Sequence, residues 1–127
     1  MNWTLEVIVV PVSNVDRAKS FYVDQIGFTL DHDVTQNDMR IVQLTPRGSG
    51  CSIVIGVGVG EMAPGTLKGL QVVVPDIEAA RAELVGRGVE VSEIKELDPR
   101  DGGRFVYFSD PDGNAWAVQE IRARATT

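Results

Sequence analysis

Apolar residues in this chain fall into short strand-like runs separated by two helix-like segments, and the whole pattern occurs twice. The segment at 12–18, VSNVDRA, returns 62 residues later at 74–80 as VPDIEAA, each time directly after an apolar run. In both copies a small polar residue that can cap a helix precedes apolar residues at helical spacing. The sequence therefore predicts an internal repeat in which a strand is followed by a capped helix.

Cap and stop residues set the bounds of the two predicted helices. The first helix is expected to begin after Ser13 or Asn14 and to end at Gly27. The second is expected to begin after Asp76 and to end at Gly86 or Gly88. A strand candidate follows the stop in each half, so the order of elements is again matched.

Three strand candidates follow each helix in matching order. They are rich in apolar and β-branched residues, and in each half a Gly- or Asp-rich turn, at 46–50 or 110–114, precedes the last one. The candidates are 28–34, 39–45 and 51–56 in the first half, and 89–95, 103–109 and 115–121 in the second. Each half is therefore predicted to be a βαβββ module.

The two modules are predicted to form one domain of the α+β class. The chain has 127 residues, of which 43% are hydrophobic and 24% charged, which is typical of a soluble globular protein. A module of about sixty residues buries too little apolar surface to be stable alone. We predict a single domain over 1–127, with modules at about 5–56 and 67–121 joined by a Gly-rich linker at about 57–66. Two mixed sheets then form a shared cleft, with the helices on the outside.

Charge and cysteine content exclude several classes of function. The net charge of -6 disfavours binding to nucleic acid or to an anionic membrane, because both require a patch of Lys and Arg. The apolar runs are too short to span a bilayer, and the N-terminus lacks the pattern of a secretory signal, so we expect a cytoplasmic protein. Cys51 is the single cysteine, which excludes an intrachain disulfide, and its apolar neighbours favour a buried packing role.

The chain resembles the vicinal oxygen chelate superfamily, which includes glyoxalases, bleomycin-resistance proteins and extradiol dioxygenases. The resemblance covers about 5–121 and depends on the paired modules together with short motifs. These motifs are Ala18-x-x-Phe21-Tyr22, Ile26-Gly27-Phe28 and the turn Asp110-Pro111-Asp112-Gly113-Asn114. The resemblance implies the two-module fold and a cleft that binds a small molecule or a metal.

The same resemblance implies four metal-ligand positions, on the first and last strand of each module. Counting back from the strand-end motifs gives Val7 and Gly69. The family's Glu on the closing strand falls at Glu120, and a 64-residue offset then places its partner in the first module at Gly56. Only Glu120 has a side chain that can bind a metal, and a divalent cation needs several ligands. His32 matches none of the positions, and Glu6 would replace Val7 only if the strand shifted by one residue. We therefore expect no metal site and no cofactor.

Alternation along the strands predicts which side chains line the cleft. Trp116, Val118 and Glu120 share one face of the last strand, and Gly69, Gln71 and Val73 share one face of the fifth. Trp116 could stack on a planar ligand or pack in the core, and Gln71 offers an amide. Glu120 could act as a general base or hold the fold together. The glycines could leave room for a bulkier ligand.

Two arginines, Arg40 and Arg104, occupy equivalent places and could bind a carboxylate or lie exposed on the surface. The motifs of serine hydrolases, phosphate-binding loops and dinucleotide-binding folds are absent from the sequence.

The sequence favours a metal-independent protein of the glyoxalase/bleomycin-resistance type that binds a small organic ligand, for example to sequester an antibiotic or metabolite. We expect it to form a homodimer. The alternative is a lyase, isomerase or dioxygenase-like enzyme that uses Glu120 as a base or metal ligand. A third hypothesis is a dimerisation or protein-binding module whose cleft has no ligand.

Overall fold

The computed structural model describes residues 1–98 and 103–121, which form two sheets and two α-helices. The first sheet contains β1 (Val7–Val9), β2 (Thr29–Gln36), β3 (Met39–Thr45) and β4 (Ser52–Val57). The second contains β5 (Leu70–Val74), β6 (Lys95–Asp98), β7 (Gly103–Ser109) and β8 (Ala115–Glu120). Helix α1 (Val15–Ser20) continues as a π-helical segment (Phe21–Ile26), and α2 (Ile77–Gly86) lies in the second half.

The two sheets have the same topology. Their strand orders are β1-β4-β3-β2 and β5-β8-β7-β6. In each sheet the first strand pairs in parallel with the last, while the other neighbours are antiparallel. A parallel pair requires a long crossover, which the helix and the intervening strands supply. The predicted α+β fold of two βαβββ modules is confirmed.

Capping residues set the helix ends as the sequence predicted. The Asn14 side chain accepts a hydrogen bond from the Arg17 backbone N–H at 3.0 Å. Asp76 accepts one from the Ala79 N–H at 3.1 Å. Gly27 ends the first helix with a φ of 88°, a left-handed conformation that favours glycine. None of the described helices is both long enough and apolar enough to cross a membrane.

The strand predicted at 89–95 is wrong in position. The observed strand β6 begins at Lys95, and Val89 is instead buried in the core at 6% exposure. Ser92 joins the neighbouring strand through isolated hydrogen bonds, since its N–H donates to the Tyr107 carbonyl at 2.9 Å and its hydroxyl accepts from the Tyr107 N–H at 2.9 Å. A run of apolar residues can pack in the core without forming a β-ladder. The apolar pattern alone therefore does not distinguish a paired strand from a buried segment that is not a strand.

An aromatic cluster joins the two halves into one core. Phe21, Tyr22 and Phe28 come from the first half, and they pack against Phe108 and Trp116 of the second sheet. The Phe108 and Trp116 rings are stacked, with centroids 5.9 Å apart and planes 4° from parallel. Burial of aromatic surface on this scale is a major source of stability, so the first helix holds the second sheet in place.

Candidate functional site

The last strand, β8, buries the face that alternation around Glu120 predicted to line the cleft. Trp116, Val118 and Glu120 are 3%, 3% and 4% exposed, and all three lie on the buried side that faces the helices. The Trp116 ring packs 5.8 Å from Tyr22 and 5.6 Å from Phe28. Their predicted placement in the cleft is therefore wrong, and Trp116 is a core residue.

The predicted equivalence of Gly56 and Glu120 is also wrong, by one residue. Leu44 pairs with Ile53 in the first sheet, and Phe108 pairs with Trp116 in the second. The third strands are thus offset by 64 residues but the last strands by 63, because the β3–β4 connection is one residue longer. A one-residue shift moves every side chain of a strand to the other face. The residue equivalent to Gly56 is Gln119 rather than Glu120.

Glu120 stabilises the start of α2. Its carboxylate accepts a hydrogen bond from the Ile77 backbone N–H at 2.9 Å and lies 3.4 Å from the Arg104 guanidinium. A negative charge is favourable at a helix N-terminus, where backbone N–H groups lack partners within the helix. These contacts explain why the Glu120 carboxylate is stable when buried. The carboxylate points toward α2 and not toward the cleft.

The exposed face of the second sheet carries aromatic and amide side chains. The Phe105 and Tyr107 rings are stacked, with centroids 6.2 Å apart and planes 6° from parallel. Beside them, Gln71 Nε2 donates to Gln119 Oε1 at 2.6 Å. We call these four residues the aromatic-amide face. Only Gln71 among them was singled out from the sequence, because the assumed register turned Gln119 away.

This face can bind a planar molecule through stacking and hydrogen bonds. Aromatic rings attract other rings and cations through their faces. The hydrogen bond between the two glutamines uses the NH₂ of Gln71 and the carbonyl oxygen of Gln119, which leaves the Gln71 carbonyl oxygen and the Gln119 NH₂ for a ligand. Tyr107 is 37% exposed, so its ring is accessible.

The predicted glycine positions differ in what surrounds them. A Cβ at Gly56 would overlap the Arg40 carbonyl oxygen, so this glycine permits close approach of two backbones. The space beside Gly56 is filled by the protein itself. Gly69 has a φ of +87°, and no atom lies within 4 Å of the place that a Cβ would occupy, so space is open there. Val7, at the exposed start of β1, is 39% exposed.

The residues at the family's ligand positions do not fit a metal ion. Val7, Gly56 and Gly69 have no side chain that can act as a ligand, and the carboxylate at the fourth position, Glu120, is bound by the Ile77 N–H and lies beside Arg104. Across 1–98 and 103–121, no three His, Cys, Asp or Glu side chains come together in a way that could hold a metal. His32 lies opposite Gln43 in β2.

The Asp-Pro-Asp-Gly-Asn turn, a hallmark in the sequence, connects the two halves. Asp110 accepts a hydrogen bond from the buried Tyr22 hydroxyl at 2.7 Å, and Trp116 Nε1 donates to the same hydroxyl at 3.0 Å. Asn114 Nδ2 donates to the Pro11 carbonyl at 2.8 Å. Burial, together with the Asp110 carboxylate, raises the pKa of Tyr22 well above its usual range. The motif's role here is structural.

The two equivalent arginines are held in ion pairs. Arg40 binds Asp33 through two hydrogen bonds, at 3.0 and 2.9 Å, and Asp16 through a third at 2.8 Å. The Arg40 hydrogen bonds hold the pKa of Asp33 well below its usual range. Arg104 pairs with Glu78 at 2.9 Å. Neither guanidinium is thus left to recognise a ligand carboxylate.

Comparison with known proteins identifies a matching family and several similar proteins. The family model for the Glyoxalase/Bleomycin resistance protein/Dioxygenase superfamily matches residues 4–118. TnmS3, an antibiotic binding protein from Streptomyces sp. CB03234, is 37% identical, with a TM-score of 0.83 over 94% of this chain and 96% of that chain. A glyoxalase/bleomycin resistance protein from the same organism is 38% identical, with a TM-score of 0.80 over 92% of this chain and 100% of that chain. The uncharacterized protein YaeR of Escherichia coli is 32% identical over 76% of this chain and 79% of its own length.

Proposed function

Because the chain belongs to the glyoxalase/bleomycin resistance protein/dioxygenase superfamily, we propose that it binds and sequesters a small organic molecule without a metal ion. The observation that carries this proposal is the aromatic-amide face of the second sheet, with stacked rings beside an amide pair. The similarity to TnmS3, an antibiotic binding protein, supports the same function.

The chemistry of this face defines the class of ligand. Stacked Phe105 and Tyr107 favour a planar aromatic group. The remaining Gln71 carbonyl oxygen and Gln119 NH₂ favour a ligand with polar substituents at its edge. The net charge of -6 makes a neutral or cationic ligand easier to bind than an anion. We infer a planar aromatic compound, neutral or cationic, of which an antibiotic is one kind.

We propose that the protein acts as a homodimer, because a single chain leaves this face open. Ligand pockets bury about 70–90% of a ligand's surface, and an open sheet cannot do so.

The segment before β1 supplies a second argument for a dimer. Its exposed apolar side chains continue the two-residue pattern of β1: Met1 is 106% exposed, Trp3 85% and Leu5 68%. We propose that a second copy covers these three exposed apolar side chains. Light scattering should give twice the chain mass, and Trp3→Ser should shift the protein toward monomer.

Fluorescence titration with proflavine, a planar aromatic cation, and thermal melts with a panel of antibiotics including bleomycin test the binding function. We expect saturable binding that Tyr107→Ala weakens about tenfold, from lost stacking. Gln36→Ala, an exposed substitution at the end of β2, is the matched control and should leave affinity unchanged. The proposal fails if no compound in the panel binds, or if binding is the same in Tyr107→Ala.

A further inference from the structure

A second, separate cavity lies on the other side of the second sheet, at the junction of the two modules. It has a volume of about 270 Å³, is open to solvent on one side, and is bounded by α2, the helix-facing side of the sheet, the end of the first helix and the β3–β4 turn. Its wall is mainly apolar and includes Ile26, Phe28, Val72, Leu84, Phe108 and Val118. Val72 and Val118 alternate along their strands with Gln71 and Gln119, so this cavity and the aromatic-amide face lie on opposite faces of one sheet.

Two arginines stand at the mouth of this cavity. The Arg87 guanidinium lies directly over Gly27, where a Cβ would overlap it, and it pairs with Glu83 at 2.7 Å. Arg47, on the β3–β4 turn, is exposed and makes no hydrogen bond or ion pair with any residue the structure describes. An adjoining surface depression is lined by the same Arg47 and Arg87, so the mouth opens to solvent.

We infer that this inter-module cavity is a second binding site, for a medium-chain aliphatic carboxylate. The apolar wall would hold the chain, and the carboxylate would lie at Arg47, because a guanidinium presents paired N–H donors that match a carboxylate. The cavity, about 270 Å³ in volume with a mainly apolar wall, is of a size to take a medium-length alkyl chain. In a chain of net charge -6, an arginine without an acidic partner among the described residues, beside an apolar cavity, is the feature that selects an anion.

Calorimetric titration of the full chain with octanoate tests this site, with 1-octanol and octylamine as neutral and cationic controls. We expect octanoate to bind more tightly than either control. Arg47→Gln should weaken octanoate about tenfold and leave 1-octanol unchanged, since only the charged head group loses its partner. Arg47 is exposed, so this substitution should not affect folding.

Two further variants locate the bound molecule. Ala80 lines the cavity from α2, and Ala80→Phe should fill it and abolish octanoate binding in a protein whose circular dichroism is unchanged. Tyr107→Ala, on the aromatic-amide face, should leave octanoate binding intact while it weakens proflavine binding. The inference is overturned if octanoate does not bind, if Arg47→Gln binds it normally, or if Tyr107→Ala removes it.

Discussion

Removing the Tyr22 hydroxyl should destabilise the protein, because this one group connects the two modules. The hydroxyl donates to Asp110 at 2.7 Å and accepts from Trp116 Nε1 at 3.0 Å. Tyr22→Phe keeps the ring and its contacts with Phe28, but it leaves the indole N–H of a residue that is 3% exposed without a partner. An unsatisfied buried donor costs about 1–3 kcal/mol, so we expect a loss of about 2 kcal/mol in the free energy of unfolding.

Urea denaturation measures this loss, and a thermal melt should show a fall of about 8 °C, at about 4 °C per kcal/mol for a chain of this size. Tyr107→Phe is the matched control, because the same atom is removed from an exposed ring, and it should change stability by less than about 0.5 kcal/mol. A Tyr22→Phe protein within about 0.5 kcal/mol of the parent would refute the reasoning.

The same residue predicts a pH dependence. The pKa of folded Tyr22 is raised above the ordinary value of 10.0, so the unfolded chain loses this proton first as the pH rises. Stability from this group is therefore fully present below about pH 10 and declines above it, by up to about 1.4 kcal/mol per pH unit. Tyr22→Phe should show a shallower decline between about pH 9 and about pH 11.5. Parallel curves for the two proteins would contradict the prediction.

Three other substitutions test separate parts of the structure by urea denaturation. Gly56→Ala should cost more than about 2 kcal/mol, because its Cβ would overlap the Arg40 carbonyl oxygen. Asp33→Asn should cost about 1 kcal/mol at neutral pH and flatten the loss of stability below about pH 4, since a carboxyl with a lowered pKa contributes stability that is lost as pH falls. Glu120→Gln should lower stability but leave proflavine affinity unchanged, and loss of binding at unchanged stability would restore a functional role for this residue.

The glycines, caps and turns were predictable because their chemistry is local. Asn14 and Asp76 cap helices through their own side chains, and Gly27 takes a left-handed conformation that other residues rarely adopt. The repeat then predicted the order of strands in each half. The strand at 89–95 was misplaced, because Val89 packs in the core and its apolar character says nothing about whether its backbone pairs.

The site was less predictable because it depends on strand register. Gln71 was identified, but its partner Gln119 and the Phe105–Tyr107 stack were missed. The turns predicted at 46–50 and 110–114 have the same length, and only the observed strand pairing shows that the last strands are offset by 63 residues.

Helix ends, turns, the internal repeat and the fold class follow from the sequence, because each depends on a few neighbouring residues or on apolar periodicity. The tertiary structure decided which face of β8 is buried, how the Tyr22 hydroxyl links the modules, and where the inter-module cavity lies. These features join residues far apart in the chain, and a shift of one residue in strand register is enough to exchange the core face of a strand for its exposed face.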